Sequence, residues 1–187
     1  MSPVRTFIAL PVSSDIQQWI SGVQSGLQHT QAQVKWESES QFHVTLKFIG
    51  DIDPSLVEPL SDALLKSCTP FSQFDLMFRQ LGAFPDTLYP KIIWIGIQPH
   101  PVLTVLQRTV NQTCEACGIP KETREFHPHI TLGRVKGLKN IHRLTEAIKT
   151  STFEPIQTHC QEILFMKSEL FPDGARYTKL KTFPLSI

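Results

Sequence analysis

The chain predicts a single domain of two pseudo-symmetric lobes in which strands and helices are mixed, and three observations predict it. Strand-like and helix-like segments alternate along the 187 residues. The segment "HVTL" at 43–46 returns as "HITL" at 129–132, 86 residues later. The neighbouring elements keep their places around both copies: the first strand of each half begins 39 and 38 residues before the motif histidine, at Val4 and Lys91, and the next helix begins 11 after it, at Pro54 and Asn140. An offset that preserves element order marks a duplicated β-α-β-α-β unit, here 4–89 and 90–175.

In order, "VRTFIAL" (4–10) reads as a strand, and 13–28 as a helix with Ile16, Ile20, Val23 and Leu27 at helical spacing behind Ser13 or Ser14. "VKWE" (34–37) and "FHVTLKFIG" (42–50) are strands; Asp53 and Pro54 open a helix over 54–68, which Pro59 threatens to break. A strand at 74–84 and a turn through "PDTLYP" close the first half. The second half repeats the order with strand 91–97, helix 101–117, strand 128–135, helix 140–150 opened by Asn140, and one strand over 157–170. The tail 176–187 has no counterpart and is expected to be a strand that crosses back to tie the lobes. No linker-like stretch separates the halves, so 1–187 is expected to be one domain.

Composition bounds the function. Hydrophobic residues at 41% and charged residues at 19% are the balance of a folded globular protein, and a formal charge of +1 provides no broad basic field, so phosphate recognition must be local. The N-terminal residues fit a first strand better than a signal peptide, and no stretch is long and apolar enough to span a membrane; a cytoplasmic monomer is expected. Of Cys68, Cys114, Cys117 and Cys160, only "CEAC" has metal-ligand or redox spacing, at a helix C-terminus that disfavours a thiolate. Reduced thiols are the expectation.

Residues i and i+2 of a strand share a face, so His43 and Thr45 point together, as do His129 and Thr131, while Val44, Leu46, Ile130 and Leu132 pack inward. Pseudo-twofold symmetry then sets both polar pairs across one cleft. Imidazole gives and takes protons near neutral pH, so a facing pair can deprotonate water and protonate a leaving oxygen during in-line attack at phosphorus. The hydroxyls suit non-bridging phosphate oxygens. Lys47 and Arg134 are candidate cations, and Phe42, Phe126, Tyr177 and Trp36 candidate stacking residues. His127 lies two before His129, but no Asp or Glu accompanies either motif, so a metal is not expected.

The paired H-x-T motifs, "RTFIALP", "KWESESQFHVTLKFIG", "FHPHITLGR" and "LFPDGARYTKLKTFPL" resemble, over essentially the whole chain, the 2H phosphoesterase superfamily and within it the RNA 2′,3′-cyclic phosphodiesterases, once described as 2′–5′ RNA ligases. The resemblance implies an α+β fold of two lobes, each an antiparallel sheet flanked by helices, with a central cleft. It implies hydrolysis of a 2′,3′-cyclic phosphate on RNA ends or nucleotides to a 2′-phosphomonoester, with neither metal nor cofactor. His43 would be the proton donor to the 3′ oxygen, His129 the base for water, and Thr45 and Thr131 the phosphate grip. Two alternatives stay open: the reverse reaction, 2′–5′ ligation, and a non-catalytic module that binds RNA ends or nucleotides.

Overall fold

Two antiparallel sheets are built from strands that the halves of the chain exchange. The computed structural model describes residues 2–172 and 174–187. The first sheet has the order β3-β1-β8-β9, from β1 (Val4–Pro11), β3 (His43–Ile52), β8 (Glu162–Leu170) and β9 (Ala175–Pro184). The second has the order β2-β6-β5-β4-β7, from β2 (Val34–Trp36), β4 (Phe74–Phe84), β5 (Ile92–Ile97), β6 (His129–Val135) and β7 (Ile156–Cys160). Thus β4 leaves its own half to pair with β5, and β8 returns to pair with β1. Neither half of the chain contains a complete sheet.

Helices are exchanged as well. α1 (Ser14–Gln28) follows β1 yet packs on the second sheet, where Trp19 stacks near Phe78 of β4 and buried Gln24 donates from Nε2 to the carbonyls of Leu132 and Glu37 at 2.9 and 2.8 Å. α3 (Pro101–Ala116) follows β5 yet lies against β3, beside α2 (Val57–Cys68). α4 (Ile141–Thr150) joins α1 behind the second sheet. One continuous core results: Val44, Leu46, Ile130 and Leu132 are all buried in it, together with Ile16, Ile20 and Leu27 of α1.

Local details differ from the expectations where tertiary packing intervenes. The segment 157–170 is two strands, because the chain passes from the second sheet to the first at Gln161. The tail forms β9, an edge strand paired along its length with β8; beyond it, Ser186 bridges to Ser72. Pro59 is the third residue of α2, in the turn whose N–H groups lack intrahelical partners, so the helix continues through it. Asp53 accepts from Ser55 N–H at 2.8 Å, ahead of a 3₁₀ turn at Pro54–Leu56. Asn140 adopts a left-handed conformation (φ 55°) without capping α4; its amide donates to the Gln31 carbonyl at 3.1 Å instead. Cys68, Cys114 and Cys160 are buried free thiols, and Cys117 is a half-buried one. No helix among the described residues is long and apolar enough to cross a membrane.

Candidate active site

β3 and β6 approach each other at the seam between the sheets, and each begins with its motif histidine. His43, Thr45, His129 and Thr131 line one cavity of about 140 Å³. Its other walls include Phe7, Glu37, Phe48, Arg134, Ser168 and Tyr177.

The two imidazoles are held alike. His43 Nδ1 lies 2.6 Å from the Gln41 carbonyl, and His129 Nδ1 lies 2.5 Å from the His127 carbonyl. A carbonyl oxygen only accepts, so Nδ1 carries the hydrogen in both rings and Nε2 is left to exchange protons. Aromatic rings fix the imidazole planes: Phe7 and Tyr177 stand 4.8 and 5.4 Å from His43, and Phe84 stands 5.0 Å from His129, edge to face. Burial among these rings pushes the His43 pKa down to about 4, against the Gln41 hydrogen bond that favours the charged form; a proton on His129 lowers it further. His129 is also lowered, chiefly by burial, with the hydrogen bond to His127 opposing and the charges of His127 and Arg134 adding to the effect.

A paired irregularity explains which cations reach the cleft. Ala9 faces Thr45 and Ile8 faces Lys47, so Leu46 is an extra residue in β3; Trp94 faces Thr131 and Ile93 faces Gly133, so Leu132 is the extra residue in β6. A bulge reverses the two-residue alternation beyond it. The fifth residue after each motif histidine therefore lines the cleft, Phe48 in one strand and Arg134 in the other. Lys47 turns away: it is 4% exposed, and its Nζ donates to the Pro120 carbonyl at 3.0 Å, tying β3 to the segment that follows α3.

The other sequence candidates divide. Tyr177 borders the cleft. Phe42 is 3% exposed within the core and offers no face for stacking. Phe126 is half-buried against the core and lines a neighbouring cavity, and Trp36 lines a separate groove with Lys35 and Tyr177. His127 supplies its carbonyl to His129 while its ring sits 3.7 Å from Glu125.

Among the cleft residues that sequence reasoning missed, which include Phe7, Phe48 and Ser168, Glu37 is the charged one. Its carboxylate is largely buried beside the cleft and pairs with Arg134 Nε at 3.3 Å, aligning the guanidinium. The available signal was "KWESESQFH", which puts Glu37 six residues before His43, but only the β2–β6 pairing brings it to Arg134. Among the described residues no three His, Cys, Asp or Glu side chains gather as a metal site.

Comparison with known proteins agrees with this architecture. A family model described as LigT-like phosphoesterase matches residues 10–94 and again residues 95–177, one match for each motif. The chain belongs to the LigT-like phosphoesterase family. A LigT-like relative from Methanothermobacter thermautotrophicus, named RNA 2′,3′-cyclic phosphodiesterase, is 30% identical over 183 residues, covering 97% of this chain and 99% of that protein. One of the same name from Thermotoga maritima is 27% identical over 177 residues, covering 95% and 93%. Among solved structures, E. coli LigT in its apo form superposes with a TM-score of 0.81 at 22% identity over the whole of both chains, and E. coli LigT complexed with 3′-AMP with 0.78 at 23% over 99% of each. The LigT-like fold is thus the α+β arrangement of two antiparallel sheets expected from the sequence.

Proposed function

We propose that this chain is an RNA 2′,3′-cyclic phosphodiesterase in which His43 and His129 work as an acid and base pair. The observation that carries the reading is the convergence of both motif histidines, each with Nδ1 engaged and no partner on Nε2 among the described residues, on one small cavity lined by two threonines and an arginine. The names borne by the relatives support the substrate class.

His129 Nε2 takes a proton from water as its oxygen bonds to phosphorus. The P–O3′ bond breaks, and His43 Nε2 delivers a proton to the departing 3′ oxygen, leaving a 2′-phosphomonoester. Thr45 and Thr131 hydroxyls and the Arg134 guanidinium hold the non-bridging oxygens and meet the charge that builds on them. Both rings are biased to the neutral form when the cleft is free, so the phosphate anion is what raises their pKa values and brings in the catalytic proton. The same reading takes the chain as one domain formed by duplication of 4–89 and 90–175, acting as a cytoplasmic monomer on RNA ends or nucleotides.

The test is incubation with a 2′,3′-cyclic mononucleotide in excess EDTA, with the product isomer identified by phosphorus NMR. The 2′-phosphomonoester is expected, with at least about a thousandfold loss of rate in His43→Ala and in His129→Ala. Full activity in both variants overturns the reading, and tight binding without turnover in the native chain makes it a binding module instead.

A further inference from the structure

A cavity of about 840 Å³, roughly six times the 140 Å³ of the histidine cleft, adjoins that cleft and shares His129 with it. One wall is the cleft side of β4 and β5 with Gln80 and Trp94; the other is α3 with Asn111, closed by the 121–128 segment. A volume of this size accommodates one or two nucleosides.

Its lining is specialised in two independent ways. The first is the seat of Trp94: a Cβ built at Gly82 would lie 2.2 Å from indole carbons, and one at Gly96 would lie 2.8 Å away. The indole therefore rests on the sheet over two glycines, where a side chain would displace it, and one aromatic face is directed away from the strands. The second concerns hydrogen bonding. Four uncharged amide side chains, Gln80, Gln107, Asn111 and Gln112, line this cavity together. Each amide offers a ligand both a donor and an acceptor.

The electrostatics select the partner. Glu115, Glu122 and Glu125 stand against Arg108 and Lys121, so the cavity has no cationic surplus to hold a run of phosphates. A nucleobase fits instead: it is neutral, has a π face for the indole, and carries donors and acceptors for the lining amides.

We propose that this cavity is a nucleoside subsite, holding the base of the RNA residue joined to the one that bears the reacting phosphate, stacked on Trp94 and hydrogen-bonded to Asn111. This rests on the phosphodiesterase reading. It predicts an enzyme that prefers an oligonucleotide end to a cyclic mononucleotide, and it is tested by measuring kcat/KM for a 2′,3′-cyclic mononucleotide and for a dinucleotide ending in a 2′,3′-cyclic phosphate. The native chain is expected to favour the dinucleotide by roughly 5- to 100-fold. That ratio falls towards one in Trp94→Ala, falls severalfold in Asn111→Ala, and is partly restored in Trp94→Phe. Asn111→Ala lies on α3, outside the indole's seat, and keeps the test intact if Trp94→Ala does not fold.

A native ratio of one, or variants that slow both substrates in step, overturns the proposal. If the native chain hydrolyses neither substrate, the reaction assignment fails and calorimetry with a 2′-phosphorylated dinucleotide and mononucleotide still decides the subsite: selective loss of dinucleotide binding in Asn111→Ala supports it, and equal loss overturns it. A 5′-mononucleotide that binds beside the cyclic mononucleotide at two ligands per chain would assign the cavity to a free nucleotide, against the RNA chain.

Discussion

His43 and His129 oppose each other's protonation across the cleft: a proton on His129 adds to the burial that already drives the His43 pKa down to about 4. In the free cleft at neutral pH, His43 is therefore neutral. A bound anion reverses the balance, because its charge favours imidazolium on either side.

Anion binding should consequently take up protons. Sulfate, which does not titrate near neutrality, is expected to bind the native chain with uptake of about one proton at pH 6 to 7 and to weaken as pH rises. Calorimetry in buffers of different ionisation enthalpy measures the uptake directly. The His43→Gln/His129→Gln double variant should lose it, and a native chain that binds sulfate without proton uptake would contradict the coupling.

The same depression makes stability depend on pH. Unfolded His43 takes a proton near its ordinary value of 6.5, whereas in the fold it does so only near 4. Between those values the unfolded chain binds more protons, so stability is full above pH 6.5 and falls as pH drops towards 4. The contribution is on the order of 2 to 3 kcal/mol. Denaturant unfolding of the native chain and His43→Gln across that window should give a shallower decline for the variant; parallel curves would show that His43 does not bear the penalty.

Thr45 and Thr131 occupy equivalent places on β3 and β6, and both line the cleft. Replacing either with valine preserves shape and removes one hydroxyl from the phosphate. Each substitution should lower kcat/KM by roughly 10- to 100-fold, the worth of a hydrogen bond to a charged group, while Thr→Ser stays within about threefold of native. Near-native rates in both valine variants would take the hydroxyls out of phosphate binding.

Much of this site was legible because a two-residue period is a strong constraint: it put His43 with Thr45 and His129 with Thr131 and sent Val44 and Ile130 into the core. What stayed illegible lies where that period fails. The bulges at Leu46 and Leu132 leave no compositional mark, and without them plain alternation inverts the answer: it turns Lys47, four residues after its histidine, into the cleft and Arg134, five after, away from it. Strand exchange is equally silent. The 86-residue offset reveals two equivalent units but carries no information on which sheet receives β4 or β8, since both strands are apolar enough to pack in either. Glu37 acquires its partner only through pairing of β2 with β6, almost 100 residues away along the chain.

Lys47 and Arg134 thus make opposite predictions for the same kind of substitution. Lys47→Met keeps a long apolar stem but leaves the Pro120 carbonyl without its buried donor, so it should cost about 1 to 3 kcal/mol of stability and loosen the segment after α3. Arg134→Met combined with Glu37→Gln removes the half-exposed guanidinium without leaving a buried carboxylate unpaired, so stability stays near native. The kcat/KM of this double variant should fall at least about a hundredfold. Denaturant midpoints and rates measured on both variants resolve the matter: a large catalytic loss with native stability belongs to Arg134, and lost stability with faster amide exchange at 118–128 belongs to Lys47. The reverse pattern would mean that the bulges do not set these two side chains on opposite faces.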